Sequence, residues 1–281
     1  MRWPWLLLVG CVPELPYDGG LVDTPRVLAI RAEPAEARPG TPVRYTALVA
    51  TPDGEGAEPV EWAYCVTPRR AEERTAVSAT CLAGDDLEPI GSDAAILADA
   101  CTRFGPISPP VEGDEAPRRP SDPDATGGYY LPVRASTAEA VAFGAQRVRC
   151  DLAGATRDVF DAWQDRYTDN LNPVIDQLDV PGSVAPGATV DLGVQSSSAE
   201  PYVVYVAERS RLVDRTEDLT AHWFVTGGTL RDGRTPLRDG YASTRWTAPD
   251  AGDVHLWVVL LDDRGGVDWV STTVRISPED P

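Results

Sequence analysis

A nine-residue stretch that opens on Pro-Gly has a counterpart later in this chain, and the pair constrains what it can fold into. Pro39-Gly40-Thr41-Pro42-Val43-Arg44-Tyr45-Thr46-Ala47 aligns with Pro186-Gly187-Ala188-Thr189-Val190-Asp191-Leu192-Gly193-Val194. Each copy follows a strand-like segment, ending near Ala32 and Val180, and each precedes a Trp-containing strand, around Trp62 and Trp223. A Pro-Gly turn feeding a period-two run marks a strand entered from a tight turn. With the flanking order preserved, the repeat predicts two copies of one β unit. At 281 residues the chain has room for two ordinary domains.

The first copy begins with a strand at Val27-Leu28-Ala29-Ile30, ended by Pro34. After the Arg38-Pro39-Gly40 turn, Val43, Tyr45, Ala47 and Val49 share one face. Val60 to Val66 then puts Val60, Trp62 and Tyr64 opposite Glu61, Ala63 and Cys65. Tyr129 to Arg134 and Val141 to Cys150 read as its last strands. In the second copy, Tyr241 to Pro249 leads through Ala251-Gly252-Asp253 into Val254 to Leu261. The Asp262-Asp263-Arg264-Gly265-Gly266 turn follows, and Val267 to Ile276 returns as a closing hairpin. The run from Leu256 to Leu261 is far short of the ~18 to 20 residues that cross a bilayer, and it reads as a buried strand.

A central Trp on the strand after two shorter ones resembles the third strand of an immunoglobulin-like sandwich. The ending from Tyr241 to Ile276 looks like that of bacterial Ig-like and PKD-like modules, and that resemblance covers 174–277. The fold expected is therefore all-β: two immunoglobulin-like β-sandwiches joined by a short helix, the first with a long disulfide-pinned loop. The helix is placed over 156–168, with Thr156 as cap, Asp158 in the first turn and Phe160, Trp163 and Tyr167 on one face. The Pro- and Gly-rich stretch 102–128 lacks either period and exceeds the ~12 to 15 residues usual for loops in compact domains.

Arg2, the apolar run Trp5 to Val9, Gly10 and Cys11 stand in the order of a signal peptide with a small residue before its cut. This resembles the bacterial lipobox, in which the Cys is acylated and becomes the mature N-terminus. The resemblance implies export, membrane attachment through a lipid on Cys11, and a cell-envelope location, at the outer membrane and either periplasmic or surface-facing. Of five Cys, four remain: Cys65, Cys81, Cys101 and Cys150. An even number in an oxidising compartment, without a CxxC pair or Cys-His cluster, predicts two disulfides. Cys65–Cys81 with Cys101–Cys150 is favoured among the three connectivities, because each closes a loop-rich stretch beside a strand. The series Trp62-Ala63-Tyr64-Cys65, Cys81-Leu82, Cys101 with Phe104-Gly105-Pro106, Asp122 to Tyr130 and Cys150 is similar to uncharacterised predicted lipoproteins of myxobacteria. That likeness covers most of 26–173 and brings no known activity. The expected organisation is signal peptide 1–10, tether 11–25, Ig-like domain 26–150, helical linker 151–173, Ig-like/PKD-like domain 174–277 and tail 278–281.

Composition removes several chemistries. All 25 basic residues are Arg, so a phosphate-loop Lys, a Schiff base and a Ser–Lys dyad are excluded. A net charge of −19 repels phosphate backbones, so no nucleic-acid partner is expected. With two His, His222 and His255, a three-His zinc site is impossible, and neither HExxH nor GxSxG occurs. No cofactor is expected. Asp85-Asp86, Asp122 with Asp124, Asp214 with Glu217 and Asp218, and Asp262-Asp263 leave carboxylate chemistry open. Asp122 and Asp124, in a Gly-rich loop, are weak calcium candidates.

The function expected is a lipid-anchored, non-enzymatic binding or scaffolding module whose partner is another envelope protein or a glycan. The contact residues expected are Phe104, Arg118, Arg119 and Tyr130, around the long loop. Two alternatives stay open: a carboxylate-based glycan hydrolase and a calcium-stabilised adhesion module.

Overall fold

Alternation of apolar and polar residues builds the strands, and the repeated Pro-Gly turn starts the same strand in each half. Gly40 and Gly187 have φ of 80° and 68°, a conformation costly for any residue with a Cβ. In the computed structural model, residues 19–70, 72–105 and 124–277 are described, and they form two β-sandwiches of one plan. The first pairs Arg26–Glu33 with Pro42–Thr51, extended by Gly54–Glu55 and Asp93–Ala95. Its second sheet runs Glu36–Ala37, Val141–Arg149, Gly128–Ser136, Glu61–Cys65, Leu87–Ile90. The other sandwich pairs Gln177–Asp179 with Thr189–Gln195, Tyr241–Thr247 and Thr229–Leu230. Opposite lie Ser183–Val184, Val267–Ile276, Gly252–Leu261, Thr220–Val225 and Arg234–Pro236. In both, the chain leaves its first strand and adds two residues, parallel, to the last strand of the facing sheet. The predicted repeat is therefore a repeat of topology, and the chain is all-β with two immunoglobulin-like sandwiches.

Each sandwich has its own core. Val43, Tyr45, Trp62, Tyr64, Leu131, Val133 and Val148 fill the first, and Leu192, Val194, Trp223, Trp246, Leu256, Val258 and Val274 the second. Disulfides join Cys65 to Cys81 and Cys101 to Cys150. The first lays helix Ala79–Ala83 on the outer side of strand Glu61–Cys65, where Cys65 is buried with Val77 and Cys81. The second fixes helix Ala100–Phe104 to the end of strand Val141–Arg149.

The halves share a third core, made by outer faces. Val22, Ala29, Leu48 and Ala50 meet Trp257, Val259 and Val267. This explains the unbroken apolar run read from sequence: Leu256 and Val258 point into their own sandwich, while Trp257 and Val259 point into the first. Gly20 and Val22, expected within the tether, belong to the folded body instead: they exchange backbone hydrogen bonds with Val225 of the second sandwich. Among the described residues, no helix is long and apolar enough to cross a membrane.

Two further features lie between the halves. The helix spans Arg157–Arg166, and its stripe buries Trp163 between Phe160 and Tyr167. Thr156 occupies the cap position, but its side chain makes no capping bond, contrary to expectation. A hairpin, Pro201–Val206 with Arg211–Thr216, is inserted in the second copy after strand Thr189–Gln195. Asp124–Ala125 of the first half adds a third strand to it, and helix Arg157–Arg166 packs against it.

Candidate functional site

Two arginines sit at the seam with almost no exposure. A buried guanidinium is costly unless its donors are matched by carboxylates and other acceptors. Arg147, on strand Val141–Arg149, donates through Nε to Glu36 Oε2 at 3.1 Å, through Nη1 to the Tyr130 hydroxyl at 3.0 Å, and through Nη2 to Thr126 Oγ1 at 2.9 Å. Its approach to the backbone requires Gly128, since a Cβ there would stand 2.2 Å from Arg147 Cζ. Arg264, in the turn before Val267–Ile276, donates through Nε to Glu217 Oε1 at 2.7 Å and through Nη2 to Glu200 Oε2 at 2.9 Å. Its Nη1 reaches the Thr168 carbonyl at 3.2 Å.

The connector after the helix is held by the same acids. Glu36 accepts from the Tyr167 hydroxyl and from the Asn170 amide at 2.9 Å. Asn170 Nδ2 donates to Asp262, and the Leu171 amide to Glu200. Asn172 bonds Ala32 and Glu33 of the first sandwich through Nδ2, while its Oδ1 accepts from the Val267 amide of the second. Arg31 and the Ile175 amide share Asp268. Residues 167–175 are thus tied to both sandwiches along their length, so the expected helical linker is a keyed joint rather than a spacer.

Burial sets the protonation of this seam. It pushes the Glu217 carboxyl up to about 7, against the Glu200 amide and Arg264, which pull it down, while Asp262 adds to the rise. Asp263 is also raised by burial and by Asp262 and Asp218, although the Tyr202 hydroxyl and the Asp218 amide favour its ionised form. The Tyr130 and Tyr202 hydroxyls are both raised, first by burial, the latter to about 12.

Above the two arginines a cleft of about 610 Å³ opens between the halves. Tyr130 enters from the first sandwich and Tyr202 from the inserted hairpin, each with a guanidinium beside its ring: Arg147 at 5.6 Å and Arg264 at 5.0 Å from the centroids. Thr126, Val204, Asp214, Arg215, Thr216, Asp218 and Asp263 complete the lining.

The residues singled out from sequence fare differently. Tyr130 is 41% exposed and lies in this cleft. Phe104 is not a contact residue: it is buried in the first core with Tyr64, Leu131 and Val148, which corrects its assignment. An aromatic after a Cys reads equally as core or contact until the helix is placed. Arg118, Arg119, Asp122 and Cys11 lie outside the described residues. The backbone of Asp124 pairs with Val206. Among the described residues, no three His, Cys, Asp or Glu side chains converge as a metal site would require. His222 is half-buried, its basicity lowered by burial and by Arg234, and His255 contacts Thr273.

Three of the carboxylates open to catalysis have partners. Asp263 accepts from Tyr202 at 3.0 Å, Glu217 from Arg264, and Asp214 from Arg166. Tyr202, Arg147, Arg264 and Glu36 are unmarked in the sequence reading. The signal for Tyr202 was the β-branched and aromatic run Tyr202 to Val206. Arg147 carried a weaker one, as a charge on a strand between Ala145 and Val148.

No family model matches the chain, and no curated protein does. Among solved structures it is similar to the Clostridium thermocellum CbhA fibronectin(III)-like modules, at 12% identity over 93% of this chain and 93% of that one, with a TM-score of 0.29. It is similar to a titin Z1Z2-Z1Z2 tandem at 13% identity, covering 90% and 99%, with a TM-score of 0.27. The D0-D1 domain of intimin is similar at 14% identity, covering 89% and 98%, with a TM-score of 0.26. At these values the likenesses carry no argument about this chain, and its immunoglobulin-like fold rests on the strand order and register of its own sheets.

Proposed function

We propose that this protein is a lipid-anchored, non-enzymatic module of the cell envelope that binds or spaces another envelope component. The observation supporting this reading most directly is the seam. The buried carboxyls Glu36 and Glu217 are engaged by Arg147 and Arg264 within their own sandwiches, and Glu36 and Arg264 also hold the connector that joins the two. Together with the shared core of Trp257, Val259, Leu48 and Ala50, this favours a stiff body that presents a surface over two modules that close on a substrate. The anchor is Cys11. Residues 11–18 bridge at most ~28 Å, so the body stands close to the bilayer that holds it.

Labelled fatty acid should enter the wild type and not Cys11→Ser, and the variant should leave the membrane fraction. Equal membrane retention of the two would remove the anchor. Turnover of a glycan, peptide or ester that disappears on substitution of Asp263 or Asp218 would replace the binding module by the hydrolase reading.

A further inference from the structure

We infer that the cleft between the sandwiches is a binding site for a neutral saccharide, with Tyr130 and Tyr202 as its stacking surfaces. The inference rests on the binding-module reading and names the ligand class that this site fits. Four observations carry it.

The first is place and size. The cleft, about 610 Å³, lies at the junction of two domains and within the ~300–1,000 Å³ of small-molecule sites. Its walls come from both halves, with Thr126, Tyr130 and Arg147 on one side and Tyr202, Asp218 and Asp263 among those on the other.

The second is preorganisation. Tyr130 donates no freedom to the bound state, because its hydroxyl is held by Arg147 at 3.0 Å and its ring lies beside that guanidinium. Tyr202 is held in the same way by Asp263, at 3.0 Å, with Arg264 beside the ring. Both arginines are themselves fixed by buried acids, Glu36 for one and Glu217 with Glu200 for the other. A planar ring on a rigid base suits the apolar C–H face of a pyranose, and little ordering entropy remains to be lost on binding.

The third is the balance of charge. Three aspartates, Asp214, Asp218 and Asp263, face three arginines, Arg147, Arg215 and Arg264, around the wall. Arg147 and Arg264 are already matched from behind, while Asp214 is paired with Arg166 and Asp263 accepts from Tyr202, so charges of both signs at the opening are engaged within the protein. An ion of either sign would find its counter-charge engaged. A ring of hydroxyls, each both donor and acceptor, matches alternating carboxylate, guanidinium and Thr hydroxyl groups.

The fourth is the rest of the molecule. With a net charge of −19, the long-range field disfavours polyanions such as uronate chains. Neutral glycans meet no such barrier.

The test uses the full chain, purified with its disulfides intact, and calorimetric titration with three neutral probes: cellobiose, maltotriose and di-N-acetylchitobiose. A tri-galacturonate serves as the anionic control and a tri-arginine peptide as the cationic rival. Saturable binding of at least one neutral probe, with none of the anion, is the expected result. The double variant Tyr130→Ala/Tyr202→Ala should bind roughly tenfold or more weakly, as for removal of aromatic anchors. The Tyr130→Phe/Tyr202→Phe variant keeps both rings but releases them from Arg147 and Asp263, so its affinity should fall between those of the wild type and the Ala pair. Melting temperatures identify any variant that has lost its fold, and the Phe pair then carries the comparison. Binding of tri-arginine in place of the sugars overturns the inference, as does sugar binding that survives the Ala pair, or no neutral probe bound by the wild type at millimolar concentration. Crosslinking of an envelope component that is unchanged in the Ala pair overturns the cleft while leaving the binding-module reading standing. Hydrolysis of a bound probe supports the cleft and overturns the non-enzymatic reading.

Discussion

Arg147→Met tests how much the buried ion pair that seats the connector on the first sandwich contributes to stability. The side chain is about 1% exposed, and its Glu36 partner is equally enclosed. Removing one member of a buried ion pair costs about 3–5 kcal/mol, because the remaining charge stays desolvated. Here Glu36 keeps two donors, the Tyr167 hydroxyl and the Asn170 amide, so the cost should fall at the lower end, about 3 kcal/mol. Denaturant unfolding of the non-acylated full chain, disulfides intact, measures this directly. For a protein of this size each kcal/mol moves the melting point by roughly 2–4 °C, so a fall of ~6 to 12 °C is expected. The double variant Arg147→Met/Glu36→Gln should cost at least ~1 kcal/mol less than the sum of the singles, since neither then leaves an unmatched charge. A loss under ~1 kcal/mol for Arg147→Met, or strict additivity, would refute the reasoning and show the pair to be water-accessible.

Three other outcomes follow from the same structure. Non-reduced peptide mapping should recover Cys65 with Cys81 and Cys101 with Cys150. Opening the latter by Cys101→Ala/Cys150→Ala should cost on the order of 4 kcal/mol, given the sequence separation of 49. Because burial raises Glu217 to about 7 from 4.5, the folded state takes up a proton there, and this group's contribution to stability is present below ~4.5 and lost as pH rises toward 7. Glu217→Gln removes that linkage, so its stability deficit relative to wild type should shrink between pH 4.5 and 7 in urea titrations; a constant deficit would show no shift at this site. Phe104→Ala should lower stability by about 3–5 kcal/mol, as expected for emptying a core position, and leave ligand capture by the folded protein unchanged; the reverse pattern would restore Phe104 as a contact.

Much of the architecture is local, and local features are readable in a sequence. The Pro-Gly turns at 39–40 and 186–187, the period-two run from Val43 to Val49 and the closing hairpin around Asp262 to Gly266 depend on neighbours in the chain, so they marked the two sandwiches. The run from Leu256 to Leu261 identified a strand covered on both faces, but not what covered it. Only the tertiary structure supplied Leu48 and Ala50 of the other half, more than 200 positions away. Distance along the chain also hid the site. Tyr130 and Tyr202 share a cleft only once the halves dock, and Arg147 and Glu36 meet only once the short parallel strand joins the first sandwich's second sheet, because a charge is tolerated in a buried position only when its partner arrives from elsewhere. Phe104 went the other way: beside a Cys and a Pro-rich stretch it resembled a loop contact, and the helix that buries it is fixed by a disulfide to Cys150. Short-range pattern determined strands and turns; which faces meet, and therefore where the cleft lies, was decided by burial between segments distant in the chain.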